Sequence, residues 1–170
     1  MSEKAATFDP YAILAALESR RVSYVLIGAL ARVIHGADEV THDVDIAPSL
    51  KPRNLERLEE ALALLEARPH CRSTLDLGTA TVEIAVIRLE SQNGPIDLVP
   101  RPTGTRNGYD DLRRAATREP IGKGLRPTVA SVADLARMLA ALGREEDRPM
   151  LRQLRRLIEL EREQQLGVHL

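Results

Sequence analysis

Two aspartates, Asp43 and Asp45, stand one residue apart in the run THDVDIA at residues 41–47. Polar and apolar residues alternate there, as on a strand with one buried side. Val44 and Ile46 then share one face and both carboxylates share the other. Two carboxylates held side by side repel each other unless a divalent cation lies between them. Mg2+ takes hard oxygen ligands, commonly one or two carboxylates together with substrate phosphates. Just upstream, YVLI at residues 24–27 is an uninterrupted apolar run, the pattern of a strand buried on both faces. Gly28 ends it, where the backbone must turn sharply or let a ligand come close. Residues 29–35 have the spacing of a short helix with Leu30, Val33 and Ile34 on one face, and its first N–H groups suit an anion such as a phosphate. An acidic pair alone is a common feature of exposed strands. Strand, glycine, short helix and acidic pair in succession point to a metal and a phosphate.

The elements that must hold these residues are legible in outline. Residues 11–21 have helical spacing with Ile13, Leu14 and Leu17 inward, and residues 52–67 with Leu55, Leu58, Leu62 and Leu65 inward. Residues 71–99 read as β structure. Residues 81–88 alternate, with Val82, Ile84 and Val86 on one face, and a turn at QNGP precedes a short strand at 96–99 that carries Asp97 between Ile96 and Leu98. Residues 100–108 form a loop rich in proline and glycine. Beyond it come a helix at 109–117, a short strand at 125–129, a helix that Ser131 opens and Gly143 stops, and a last helix over 147–163. The expected fold class is α/β (α+β): a small mixed sheet flanked by helices, with a helical C-terminal part. Residues 1–100 form the core and residues 101–170 pack on it, within one compact domain.

Composition narrows the function classes. The chain has 170 residues, 44% apolar and 29% charged, as expected of a globular domain. With one Phe, three Tyr and no Trp, it offers no stacking platform for single-stranded nucleic acid. The single cysteine, Cys71, excludes an intrachain disulfide and a cysteine-based zinc cluster, and it reads as a core or bystander thiol. No secretory signal and no apolar run of membrane-span length is visible, so the expectation is a cytoplasmic protein with no membrane partner. Charge is unevenly spread. Residues 1–100 carry 10 Lys and Arg against 15 Asp and Glu, and residues 101–170 carry 14 against 10. The acidic half would hold the metal. The basic half either faces an anionic partner or is a set of solvated helix faces.

Ile27-Gly28-Ala29, Asp43-Val44-Asp45-Ile46 and the later Ile96-Asp97-Leu98 together resemble the nucleotidyltransferase fold of the DNA polymerase β superfamily. Three longer stretches (IGALARVIHG…VTHDVDIAP, GPIDLVPRPTGTRNGYDDL and SVADLARMLAALGREED) are similar to the AbiEii/AbiGii-type nucleotidyltransferases, which include the MenT group of type IV toxin–antitoxin systems. The likeness runs from about residue 22 to residue 147. It implies that Asp43, Asp45 and Asp97 bind two Mg2+ ions that hold a nucleoside triphosphate, and that Asp97 helps deprotonate an attacking hydroxyl. Gly28 and Ala29 would cradle the phosphates. The implied reaction transfers a nucleoside monophosphate to an acceptor, with RNA such as tRNA favoured, and a cognate antitoxin protein is a further implied partner.

The chain departs from the family pattern in three places. Ala29 stands where the family has Gly or Ser. Glu39 stands where it often has Arg. Leu139 stands where a Lys meets the triphosphate. Of the nearby cations Arg137, Arg144 and Arg148, Arg144 in the helix–Gly–Arg stretch is assigned to the nucleotide. The departures support an alternative, a catalytically degenerate relative acting as a nucleotide-binding or protein-interaction module. His35 and His42 read as helix-end or surface histidines. Leu139 either packs into the core with Leu135 and Leu142 or lines the cleft.

Overall fold

A computed structural model describes residues 7–69 and 76–167. Cys71 and the start of the expected β region lie outside them. In chain order the elements are α1 (Pro10–Ser19), β1 (Tyr24–Ile27), α2 (Gly28–Ile34), β2 (Val44–Pro48), α3 (Pro52–Leu64), β3 (Arg68–Pro69) and α4 (Leu77–Glu83). They continue with β4 (Ile87–Ser91), β5 (Gly94–Leu98), α5 (Tyr109–Leu112), β6 (Thr117–Arg118), β7 (Thr128–Val129) and α6 (Val132–Ala141). A 3-10 turn (Glu145–Asp147) leads into α7 (Arg148–Gly167).

Among the described residues the strands form one mixed sheet in the order β3-β4-β5-β2-β1-β7-β6. The uninterrupted apolar run is an interior strand between β2 and β7, and all four residues of β1 are buried. β2 runs antiparallel to β1 and parallel to β5, which sets Ile27 beside Asp45 and Asp45 beside Asp97. Asn54 fastens the far ends of β1 and β2. Its Oδ1 accepts from the Ser23 N–H at 2.6 Å, and its Nδ2 donates to the Ser23 and Ser49 carbonyls at 2.9 and 2.8 Å. The core packs Leu14 and Leu17 of α1 and Leu58 of α3 against Leu26, Ile46 and Leu98 of the sheet. No helix among the described residues is long and apolar enough to cross a membrane.

The first half of the expected strand at 81–88 is helical. Asp76 caps α4 by accepting from the Gly78 N–H at 3.0 Å, and Leu77, Ala80 and Thr81 turn inward at helical spacing. At the other end Arg101 Nη2 donates to the Thr81 and Val82 carbonyls at 3.1 and 2.6 Å. Capping from both sides overrides the β preference of the alternating residues, a tertiary effect. Val82 and Ile84 consequently face solvent, and Val86 is 41% exposed. The helix expected at 109–117 stops at Leu112, since Thr117 pairs with Val129 in the sheet.

α6 and α7 pack together through a second, smaller cluster of Val132, Leu139 and Leu154. Ser131 opens α6 as expected, its hydroxyl accepting from the Asp134 N–H at 3.1 Å. Ser131→Ala should lower stability by about 1 kcal/mol, read from a denaturant melt. His35, at the end of α2, sits with Nε2 2.8 Å from the Ala130 carbonyl and ties α2 to the start of α6.

Candidate active site

Asp45 lies on β2, Asp43 two residues before it on the same face, and Asp97 on the neighbouring β5. Each offers a carboxylate oxygen, and these oxygens lie within 4.8 Å of one another. Asp97 is 8% exposed, and Asp43 and Asp45 are half-buried. Burial, and then the charges of Asp43 and Asp97, push the Asp45 carboxyl up to about 7. A hydrogen bond with Asp97 adds to the rise, and the Arg32 guanidinium opposes it. Asp97 is also raised, by burial first and the Asp43 charge second. Arg88 reaches Asp97 at only 3.9 Å and is 75% exposed, so it compensates little. The donor set fits a hard divalent cation. It consists of oxygens alone, close enough to share an ion, and their mutual repulsion is what such an ion relieves.

Gly28 follows β1 with φ +73°, in the left-handed region, and a Cβ there would lie 2.0 Å from Asp45 Oδ2. Both the turn and the close approach require glycine. Ala29 is half-buried and is the second residue of α2, whose N-cap residue Ile27 supplies no side-chain hydrogen bond. Beside Gly28 opens a cleft of about 190 Å³ walled by Val86, Val99, Leu135, Met138 and Leu139. Its one ionisable side chain among the described residues is Arg32. Arg32 is a site residue the sequence reading missed, although it stands four residues after Gly28 and so one turn along the same helix face.

Arg144 is not brought to this cleft. Its Nε and Nη2 donate to Asp147 at 2.7 and 3.2 Å, clipping the 3-10 turn. Arg137 is bound to Asp134, and Arg148 pairs with Glu145 at 3.2 Å. The cations expected near the nucleotide are thus engaged with carboxylates along their own segment. Leu139 satisfies both expectations at once: it is 5% exposed, packs with Leu154 of α7, and contributes to the cleft wall.

The same fold occurs in nucleotidyltransferases. A Thermotoga maritima protein, TM1012, described as a candidate nucleotidyltransferase, superposes with a TM-score of 0.53 at 19% identity, over 83% of this chain and 86% of that one. The antibiotic-resistance factor ANT(2'')-Ia superposes with a TM-score of 0.54 at 16% identity, over 94% of this chain and 92% of its own. At such identities what is shared is the fold, and the chain has the nucleotidyltransferase fold. No protein-family model matches the chain. No curated protein sequence matches it either.

Proposed function

We propose that this protein transfers a nucleoside monophosphate from a nucleoside triphosphate to an acceptor hydroxyl. The observation that carries the reading is the convergence of Asp43, Asp45 and Asp97 against Gly28 within a nucleotidyltransferase fold. Asp43, Asp45 and Asp97 would hold Mg2+, which when bound polarises the α-phosphate and neutralises developing charge. Asp97, the most buried of the three and raised in pKa, accepts the proton of the acceptor hydroxyl. The bond formed joins the acceptor oxygen to the α-phosphorus. The bond broken joins that phosphorus to the bridging oxygen, and pyrophosphate leaves with the electron pair. Gly28 leaves room for Asp45 to stand directly against the turn, where the triphosphate would lie with Ala29.

The finer parts of the reading rest on the resemblance to the AbiEii/AbiGii-type proteins: an RNA acceptor such as tRNA and a toxin role with a cognate antitoxin. Cytoplasmic location, and a core over residues 1–100 with a C-terminal region over 101–170, rest on the sequence pattern alone. A second reading, a degenerate nucleotide-binding protein, is favoured by one observation. The cleft beside the acids is walled by apolar side chains, and its one cation among the described residues is already paired.

The test is incubation of the protein with each labelled triphosphate, Mg2+ and total tRNA. The expected result is label on RNA that is lost with EDTA and with Asp43→Ala. Mg2+-dependent triphosphate binding with no transfer to any acceptor would favour the degenerate reading. A protein that shows neither binding nor transfer would overturn the proposal.

A further inference from the structure

Arg32 is held in an unusual position for a cation beside three carboxylates. It lines the cleft next to Gly28, yet its fork is turned to Glu39, with Nε 2.8 Å from Oε2 and Nη2 2.7 Å from Oε1. The pair is well shielded, with side-chain exposures of 14% and 23%. Nη1 lies outside this fork. The Arg32 charge reaches Asp45, whose ionised form it favours.

A triphosphate bound at the acids carries more negative charge than the metal neutralises, and its non-bridging oxygens need fixed donors. Arg137, Arg144 and Arg148 are spoken for outside the cleft. A planar guanidinium is the donor that fits phosphate oxygens two at a time. Resting on the nucleotidyl-transfer reading above, we propose that Arg32 is the phosphate-binding cation of this site, and that Glu39 competes with the triphosphate for it. Glu39 thereby sets the affinity. While the fork is closed, Nε–H and one N–H of Nη2 are taken, and Arg32 offers the ligand only the Nη1 N–H groups and the second N–H of Nη2. Binding requires the guanidinium to be shared or turned, against the attraction of a partly buried carboxylate. Removing the Glu39 charge should therefore strengthen binding, whereas removing Arg32 should weaken it.

The opposite signs separate this role from a structural one. The Arg32–Glu39 fork also fastens residues 37–42, which lead into Asp43. A fork that served only as a clip would make both variants bind worse and melt earlier. The probes are ATP, GTP, CTP and UTP with Mg2+, and inorganic tripolyphosphate with EDTA, followed by calorimetry. Glu39→Gln keeps a hydrogen-bond acceptor for the guanidinium. It should bind the preferred triphosphate, and tripolyphosphate, about threefold to tenfold more tightly, a change of roughly 1 kcal/mol. Arg32→Ala should bind both at least about tenfold more weakly, and Arg32→Lys, which keeps the charge without the fork, should fall between. If Arg32→Ala fails to fold, Arg32→Lys and Glu39→Gln carry the comparison. Weaker binding in both Glu39→Gln and Arg32→Ala overturns the proposal in favour of a clip. Unchanged binding in Arg32→Ala, with binding still lost in Asp45→Asn, overturns the proposal and leaves the nucleotidyl-transfer reading standing. A wild-type protein that binds none of the probes overturns both.

Discussion

Asp45→Asn is expected to abolish Mg2+-dependent transfer and, in metal-free buffer at pH 8, to yield a protein more stable than the wild type. The loss of transfer should be at least about a thousandfold. Metal-centred charge stabilisation is worth several kcal/mol in the transition state, and each 1.36 kcal/mol is a factor of ten. The gain in stability follows from the proton linkage. The Asp45 carboxyl keeps its proton to about pH 7 in the folded chain, against an ordinary value of 3.8. Between these values the folded state binds more protons than the unfolded one. The stability of the metal-free protein should therefore be full below about pH 4, decline as pH rises toward 7, and level off above it. The decline should be on the order of a few kcal/mol. Asparagine has no proton to lose, so the variant should lack most of that slope, and Mg2+ should no longer raise its melting temperature. Melting temperatures from pH 4 to 8, in EDTA and in Mg2+, check both statements. A slope that persists in Asp45→Asn would place the responsible proton elsewhere.

Gly28→Ala should damage the site and the fold together. A methyl group at this position would meet Asp45 Oδ2 at 2.0 Å, well inside contact distance, and φ is +73°. Placing an L-residue in that backbone region costs on the order of 1–3 kcal/mol. The clash adds to this unless Asp45 swings away, and β2 holds its backbone in register with both Ile27 and Asp97. The side chain must rotate, which separates its oxygen from those of Asp43 and Asp97. We expect a loss of about 2–4 kcal/mol in stability and a drop in transfer on the order of a hundredfold or more, because displacements of about 1 Å have that effect. Ala29→Gly, one residue along, should leave the Asp45 position unchanged and is the control. Near-normal Mg2+-dependent binding in Gly28→Ala would show that the close packing of glycine and carboxylate does not position the metal ligands.

Much of the site was legible because its parts are local. Period-two alternation places Asp43 and Asp45 on one face whatever their surroundings, and an apolar run ending in glycine defines β1 and the turn after it. Asp97 stands out as an acid between two apolar strand residues. These features depend on spacing within a few residues, which the covalent chain dictates. The rest depended on pairings between distant parts of the chain. Asp97 meets Asp45 only because β2 and β5, some 50 residues apart, align in parallel in that register. One residue of slip would send the Asp97 side chain to the other face. Residues 81–88 alternate like a strand, but Asp76 and the distant Arg101 close residues 77–83 into α4. Arg144, assigned to the nucleotide from the sequence, is held by Asp147, whereas Arg32, which the sequence reading passed over, lines the cleft. Ion pairing is decided by which side chains the fold brings within reach, and alternation and propensity carry no information about that. The sequence by itself determined the two-aspartate strand and the glycine turn. The tertiary structure decided which acid joins them, which cation faces them, and that the wall beside them is apolar.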